Sequence, residues 1–474
     1  MHYTLIIHGY SDCSESFEKL KKFLIDKDVG KVDTVLYVDY QSREDSLTLN
    51  DVVDGLNDAL IAKNLVQQGG NSDHTFSIIV HSTGGLVIRH WIATYYGDQG
   101  RIDACPVKKI VMLAPANFGS PLAHRGKSFL GSLVKGRWKV GDFLEVGQKI
   151  LDSLELASPF QWELAHRDLL VEKPWYNRKQ IQLTIIAGLE DYDGIRGLVN
   201  SPGTDGTVVI AGTCLDSAKI HLDFRKPEND NGDYEPFRWS RYRPPVDFAF
   251  TVLSGYNHGS IISEIHEKNE NQVSGLIRRA LRQEDEHSFG EFIKELDTLR
   301  LANYKNSENP KPVFQQFIVR AVDDFGAAVT DFSLEFSLLK FERIIDHLVI
   351  NDEKTFSENE ERLSARLQSI IAAGFYTNRQ DPSFRRFLVN LADLNALLDE
   401  AKELLGQDIA ITVRIYIPDV EKGIRYEIGR LQNVLLYTSN KDRHDNDRPS
   451  FIFSNTTTLI EMKVDRYNHY VVIH

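Results

Sequence analysis

Cysteine is scarce, with three in 474 residues, at positions 13, 105 and 214. They form no C-x-x-C pair, and their spacing suits no disulfide framework. That excludes a disulfide-stapled secreted scaffold and points to a reducing compartment. Positive charge is also short: 55 Lys and Arg stand against 68 Asp and Glu, a net charge of −13. Such a balance excludes nucleic acid as the main partner, because phosphate binding needs a basic face. It also disfavours electrostatic adsorption to anionic membranes, although a local apolar surface can still touch lipid. No apolar run reaches the roughly 18 residues that span a bilayer. The chain opens "MHYTLIIHGY" and enters strand-forming residues at Tyr3, with no basic stretch leading into a long apolar one. No signal peptide is expected, and the expected location is the cytoplasm, with non-classical export left open. Internal repeats, low-complexity tracts, Gly-rich phosphate loops and zinc-ligand spacings are absent too, so no cofactor and no metal is expected.

What is present is a globular composition, 42% hydrophobic and 26% charged, in a chain long enough for two domains. Over the first 280 residues short apolar strands alternate with helical patterns. Strands are expected at Tyr3–Ile7, Thr34–Val38, Phe76–Val80, Lys109–Leu113, Gln182–Ala187 and Phe248–Leu253. Helices are expected between them, for example Ser16–Ile25 and Leu47–Leu65, where apolar residues recur every three and four. Continuously apolar strands alternating with helices imply a parallel sheet covered on both faces. Almost seventy residues separate Leu113 from Gln182, far more than a crossover needs, and they read as several short helices forming a cap. A charged helical stretch, Ser274–Lys305, leads to the polar linker "NSENPKP" (306–312). Beyond it "DFSLEFSL" (331–338) alternates strictly, and "DIAITVRIYIP", "IRYEIGRL" and "TLIEMKVDRYNHYVVI" continue in the same idiom around one helical insert at Phe384–Leu405. The expected architecture is an α/β catalytic domain over 1–284 with its cap at about 120–180, a helical linker over 285–310, and a mostly antiparallel, sandwich-like β domain over 311–474.

The chemistry gathers around "SIIVHSTGGLVIRH" (77–90). A strand running into a small-residue turn and then a helix can lift Ser82 out as a nucleophile. The following N–H, that of Thr83, is then placed to stabilise an oxyanion at the helix N-terminus. A free serine hydroxyl needs a base, and the base needs an orienting acid. Gly84 and Gly85 supply the smallness after the serine, but two residues before it stands Val80 where a glycine is usual. "LIIHGYSD" ends the first strand in His8-Gly9, which makes the Tyr10 N–H the second oxyanion donor. Asp191, Asp193 and Asp205 follow the fifth strand. His258 follows the sixth, in the loop "YNHGSII", where a base must hang over Ser82; His221 and His266 have no such position.

Five ordered pieces, "HGY", "VHSTGGLV", "VMLAPANFGSPLA", "PGTDGTV" and "YNHGSI", resemble an α/β-hydrolase of the lipase type. The resemblance covers the first 280 residues. It implies an α/β-hydrolase fold, Ser82 as nucleophile, Asp205 as acid, His258 as base, and the N–H groups of Tyr10 and Thr83 as oxyanion hole. The family usually begins with strands ahead of the H-G strand, and this chain has no room for them, so the smaller lipase sheet is expected. The implied activity is cleavage of carboxylic esters, with lipid or fatty-acyl esters favoured. An apolar cap set (Phe129, Leu130, Leu133, Trp138, Phe143, Leu144, Phe160, Trp162) can line an acyl groove or simply pack. Thioester hydrolysis or acyl transfer on the same triad is the alternative, and a non-catalytic, hydrolase-like binding protein is another. The C-terminal domain offers a surface for lipid or a protein partner. The cluster Asp442, His444, Asp445 and Asp447 reads as a solvated loop rather than a calcium site.

Overall fold

The structure is a computed structural model that describes residues 2–7, 14–29, 31–35, 46–123, 148–193, 200–225, 238–305, 310–345, 348–349, 356–419, 423–427, 434–439 and 452–467. The chain divides into two compact units, one of residues 1–217 with 244–311, the other of residues 218–243 with 312–474. Among the described residues no helix is long and apolar enough to cross a membrane. Cys105 and Cys214 are buried free thiols.

The strands run β1 His2–Ile7, β2 Lys31–Val35, β3 Thr75–His81, β4 Val107–Leu113, β5 Gln182–Gly188, β6 Ser217–Asp223, β7 Arg238–Tyr242 and β8 Ala249–Leu253. Six of them form the sheet of the first unit in the order β2-β1-β3-β4-β5-β8, every pairing parallel. This is the covered parallel sheet that the sequence pattern implies, since Ile6, Ile79, Val111 and Ile186 are all buried beneath helices. Helices Ser14–Asp26 and Leu49–Ala62 match the expected ones, the second opened by a capping box between Thr48 and Asp51. The stretch expected as one helix over Ser274–Lys305 is two, Gln272–Leu281 and Glu286–Lys305. The second helix is no linker. Phe289, Phe292 and Leu296 enter the same core as Ile262 and Ile277, because burying that apolar stripe outweighs leaving it in water.

The remaining strands are β9 Phe314–Asp323, β10 Ser333–Lys340, β11 Ile344–Ile345, β12 Leu348–Val349, β13 Tyr376–Thr377, β14 Phe384–Asn390, β15 Ile409–Tyr416, β16 Val434–Thr438 and β17 Thr457–Val464. They make two sheets, β10-β15-β16-β12-β11 and β13-β14-β9-β17-β6-β7. The alternation in "DFSLEFSL" holds: Leu334 and Leu338 enter the core while Ser333 and Glu335 are exposed. The first sheet is antiparallel, whereas the second contains a parallel pair, β9 with β17. Two helices, Glu358–Ala372 and Leu391–Leu405, contribute Leu363, Leu367, Leu394 and Leu397 to the core that both sheets share. The expected helical insert at Phe384–Leu405 begins as strand, since Phe384–Asn390 is β14. Its side chains are buried on both faces, so no alternation marks it. The domain boundary also differs from the expected cut near 311. Strands β6 and β7 precede residue 244 in the chain yet complete the second sheet of the second unit.

Candidate active site

β3 ends at His81, and the chain turns at once. Ser82 takes φ +52°, the left-handed region that costs a side-chain-bearing residue energy and marks a functional turn when the surroundings enforce it. Here they do. The Ser82 N–H donates to the Leu113 carbonyl at 3.1 Å, while its own carbonyl accepts from Gly85 at 3.1 Å and from Ala116 at 3.0 Å. Helix Gly84–Ile92 then starts hard against the loop after β4. A Cβ on Gly85 would stand 2.7 Å from the Pro115 Cβ and 2.9 Å from Asn117 Oδ1, so only glycine fits. Val80, where a glycine is usual, is fully buried without preventing the turn.

His258 follows β8 in an irregular loop. Asn257 shapes that loop, its side-chain oxygen accepting from the N–H groups of Gly259 and Ser260. The His258 ring lies between Ser82 and Asp205, with Nε2 3.1 Å from Ser82 Oγ and Nδ1 3.1 Å from Asp205 Oδ2. The His258 backbone N–H also donates to the Asp205 carbonyl at 2.9 Å. Asp205 is fully buried, and its other oxygen accepts from the N–H groups of Thr207 (3.1 Å) and Val208 (2.9 Å). Those two donors, with His258, satisfy a charge that could not stand alone in the interior. Gly206 allows this loop by taking φ +92°, with its α-carbon face packed against the Tyr192 ring.

The rival aspartates lie elsewhere. Asp193 is exposed, and Asp191 is 3.5 Å from Lys311 Nζ, its pKa raised by burial despite that cation. Thr83 is buried at the first turn, and no acceptor for its N–H occurs among the described residues. Tyr10, with His8 and Gly9, lies outside the described residues, as does the loop holding Asp442, His444, Asp445 and Asp447. Among the described residues no group of three His, Cys, Asp or Glu side chains could hold a metal ion. Of the apolar cap set, only Phe160 and Trp162 are described. Both lie on helix Pro159–Asp168, where Trp162 is buried beside His166 and Phe160 meets the edge of His90.

One feature beside the site was not read from the sequence. Arg89, on the helix that follows Ser82, is wholly buried and binds Asp168 through two bonds, Nε to Oδ2 at 2.7 Å and Nη2 to Oδ1 at 2.9 Å. Its Nη1 donates to the Asn117 carbonyl at 3.1 Å, and the Tyr176 hydroxyl donates to Asp168 at 3.1 Å. The lone arginine in the apolar run "GGLVIRHWI" was the available signal. Farther along the same helix, burial and then the Arg167 guanidinium push His90 down to about 4. His90 is therefore neutral near pH 7, so Nε2 donates to Asn50 while Nδ1 accepts from Arg167.

The fold is that of the α/β-hydrolases. Phospholipase PlaB from Legionella pneumophila superposes on this chain with a TM-score of 0.76 at 20% identity, over 100% of this chain and 98% of that one. A second structure, PlaB in complex with thio-NAD, gives 0.75 at 21% identity, over the same shares. No protein-family model matches the sequence, and no curated protein does.

Proposed function

We propose that the chain is a serine hydrolase that cleaves carboxylic esters of lipids, phospholipids foremost, through an acyl-enzyme. The carrying observation is the row Ser82–His258–Asp205, set on a left-handed turn at the carboxyl end of a parallel strand. In this reading His258 takes the Ser82 proton as Oγ attacks the ester carbonyl, forming a tetrahedral oxyanion. The N–H groups of Thr83 and Tyr10 receive that oxyanion. Collapse expels the alcohol, which takes its proton from His258, and water activated by the same imidazole then releases the fatty acid. Asp205 stays ionised throughout, holding the ring with Nε2 toward Ser82 and stabilising the imidazolium. The full-length likeness to a phospholipase favours a phospholipid over a small soluble ester.

Fluorophosphonate treatment should label one residue, Ser82, and should block release of fatty acid from phosphatidylcholine or phosphatidylglycerol vesicles. Labelling that persists in Ser82→Ala would refute the nucleophile. Turnover of acyl-CoA or transfer to an added alcohol, with no fatty acid released from vesicles, would move the assignment to thioesterase or acyltransferase.

The second unit contains none of these side chains, and we assign it the placing of the hydrolase on a lipid surface or a protein partner. A cut in the 306–312 linker is a poor test, since it strands β6 and β7 without the rest of their sheet. The better variant joins residue 217 to residue 244 by a short Gly/Ser linker and ends at residue 311. It should keep activity on a short soluble ester to within about threefold and lose most activity on vesicles. Equal loss on both substrates in a folded protein would overturn the recruitment role.

A further inference from the structure

Immediately before the nucleophile stands His81, a buried histidine that the acyl-transfer chemistry above leaves unused. It is the last residue of β3 and pairs with Leu113 across the sheet, so its backbone is fixed by the strand. Its ring lies between two others, with its centroid 6.2 Å from that of Phe17 and 4.8 Å from that of His258. Its Nε2 lies 3.1 Å from the backbone carbonyl oxygen of His258, a buried contact between residues 177 apart in sequence. A carbonyl only accepts, so Nε2 of His81 must carry the proton, which fixes the tautomer.

The loop of the base it touches is shaped by Asn257, and the base itself is held on its N–H and ring sides. His258 sits in the loop between β8 and helix Ser260–Ser263, with no strand or long helix fixing its backbone. Its N–H is held by the Asp205 carbonyl and its ring by Asp205 and Ser82. The bond from His81 ties the carbonyl side of the same residue. It runs from the residue beside Ser82 to the residue that must take the Ser82 proton. We infer that His81 is a positioning residue, whose Nε2–H to His258 carbonyl bond locks the base to the nucleophile turn so that the two keep their spacing through turnover. The inference rests on the serine-hydrolase reading, and it concerns His258 alone.

The consequence is specific to rate. Nucleophile and base must stay within a few tenths of an ångström of productive geometry, and a displacement of about 1 Å can cost on the order of a hundredfold. His81→Phe keeps an aromatic ring between Phe17 and His258 but removes the donor. His81→Gln gives up the ring, yet its amide nitrogen can reach the same carbonyl. His81→Phe should lower kcat by roughly ten- to a hundredfold with KM changed by less than about threefold. The rate of fluorophosphonate labelling at Ser82 should fall in parallel. His81→Gln should recover most of that rate even where its melting temperature is the lower of the two. Wild-type kcat in folded His81→Phe would overturn the proposal. So would a Gln variant as slow as the Phe variant, which would assign the effect to ring packing.

Side-chain 15N spectra of the histidines give a reading that does not need a reactive serine. His81 should appear as the Nε2–H tautomer, and the His258 signals should move more in His81→Phe than in His81→Gln. An Nδ1–H tautomer at His81 would overturn the inference. A wild type that no fluorophosphonate labels, with the His81 tautomer as expected, would fault the serine-hydrolase reading instead.

Discussion

Ser82→Ala should lower kcat for ester hydrolysis by about a million-fold while leaving the thermal transition almost unmoved. Asp205→Asn should lower it by about ten thousand-fold. Alanine is close to serine in size, and the turn is held by backbone bonds to Leu113, Gly85 and Ala116 that the substitution leaves in place. Asparagine keeps the shape of Asp205 but removes the charge that orients and stabilises a protonated His258. Because nucleophile and acid act on one proton transfer, their losses should not add. Ser82→Ala combined with Asp205→Asn should be no slower, within about threefold, than Ser82→Ala alone. Asp193→Asn should stay within about twofold of wild type, since that side chain is exposed. Steady-state kinetics on one chromogenic ester decide all four. A loss in Asp193→Asn with none in Asp205→Asn would mean that the wrong acid has been assigned.

The second large effect is on stability. Asp168→Ala should destabilise the first unit by about 3–5 kcal/mol, because it leaves the Arg89 guanidinium charged and buried without its counter-ion. Burial works against that charge, and the Asp168 carboxylate outweighs it, holding the arginine above its ordinary pKa. The Tyr176 hydroxyl would lose its acceptor as well. Arg89→Met with Asp168→Leu removes both charges together and should be less damaging than Asp168→Ala. Replacing a buried pair by apolar side chains of similar volume is often close to neutral. Chemical denaturation of the wild type and these two variants decides it. A double variant as unstable as Asp168→Ala would show that shape, and not stranded charge, sets the cost.

The parallel sheet was legible because its strands are short, apolar and separated by helical periodicity. Five of the six lie within two residues of where that pattern put them, while β2, expected at Thr34–Val38, spans Lys31–Val35. That Ser82 and His258 approach each other was legible because each sits in a small-residue turn or loop just past a strand, whereas Asp205 was set apart from Asp191 and Asp193 by the resemblance. What stayed hidden has a physical cause in each case. Helix Glu358–Ala372 opens with Glu358, Glu360 and Glu361, a charged first turn that suits its dipole and its Ser357 cap but obscures the apolar positions behind it. β14 is buried on both faces and runs without a break into helix Leu391–Leu405, so no change of period marks the join. His81 was in plain view beside Ser82, but its role depends on a backbone carbonyl 177 residues away, and no local pattern encodes that.

The displaced hairpin of β6 and β7 also sets a schedule for synthesis. β6 ends at Asp223, while its neighbour in the sheet, β17, begins only at Thr457. At ~5–20 residues per second on the ribosome, the two strands wait about ten to fifty seconds for that partner. For most of that interval, once β8 has emerged, the first unit has all the strands of its own sheet, yet the nascent chain still carries an unpaired edge with Ile220 and Leu222 lacking the core they will join. Covering that edge until the last strand emerges is a demand the chain order places on the cell, before any substrate is met.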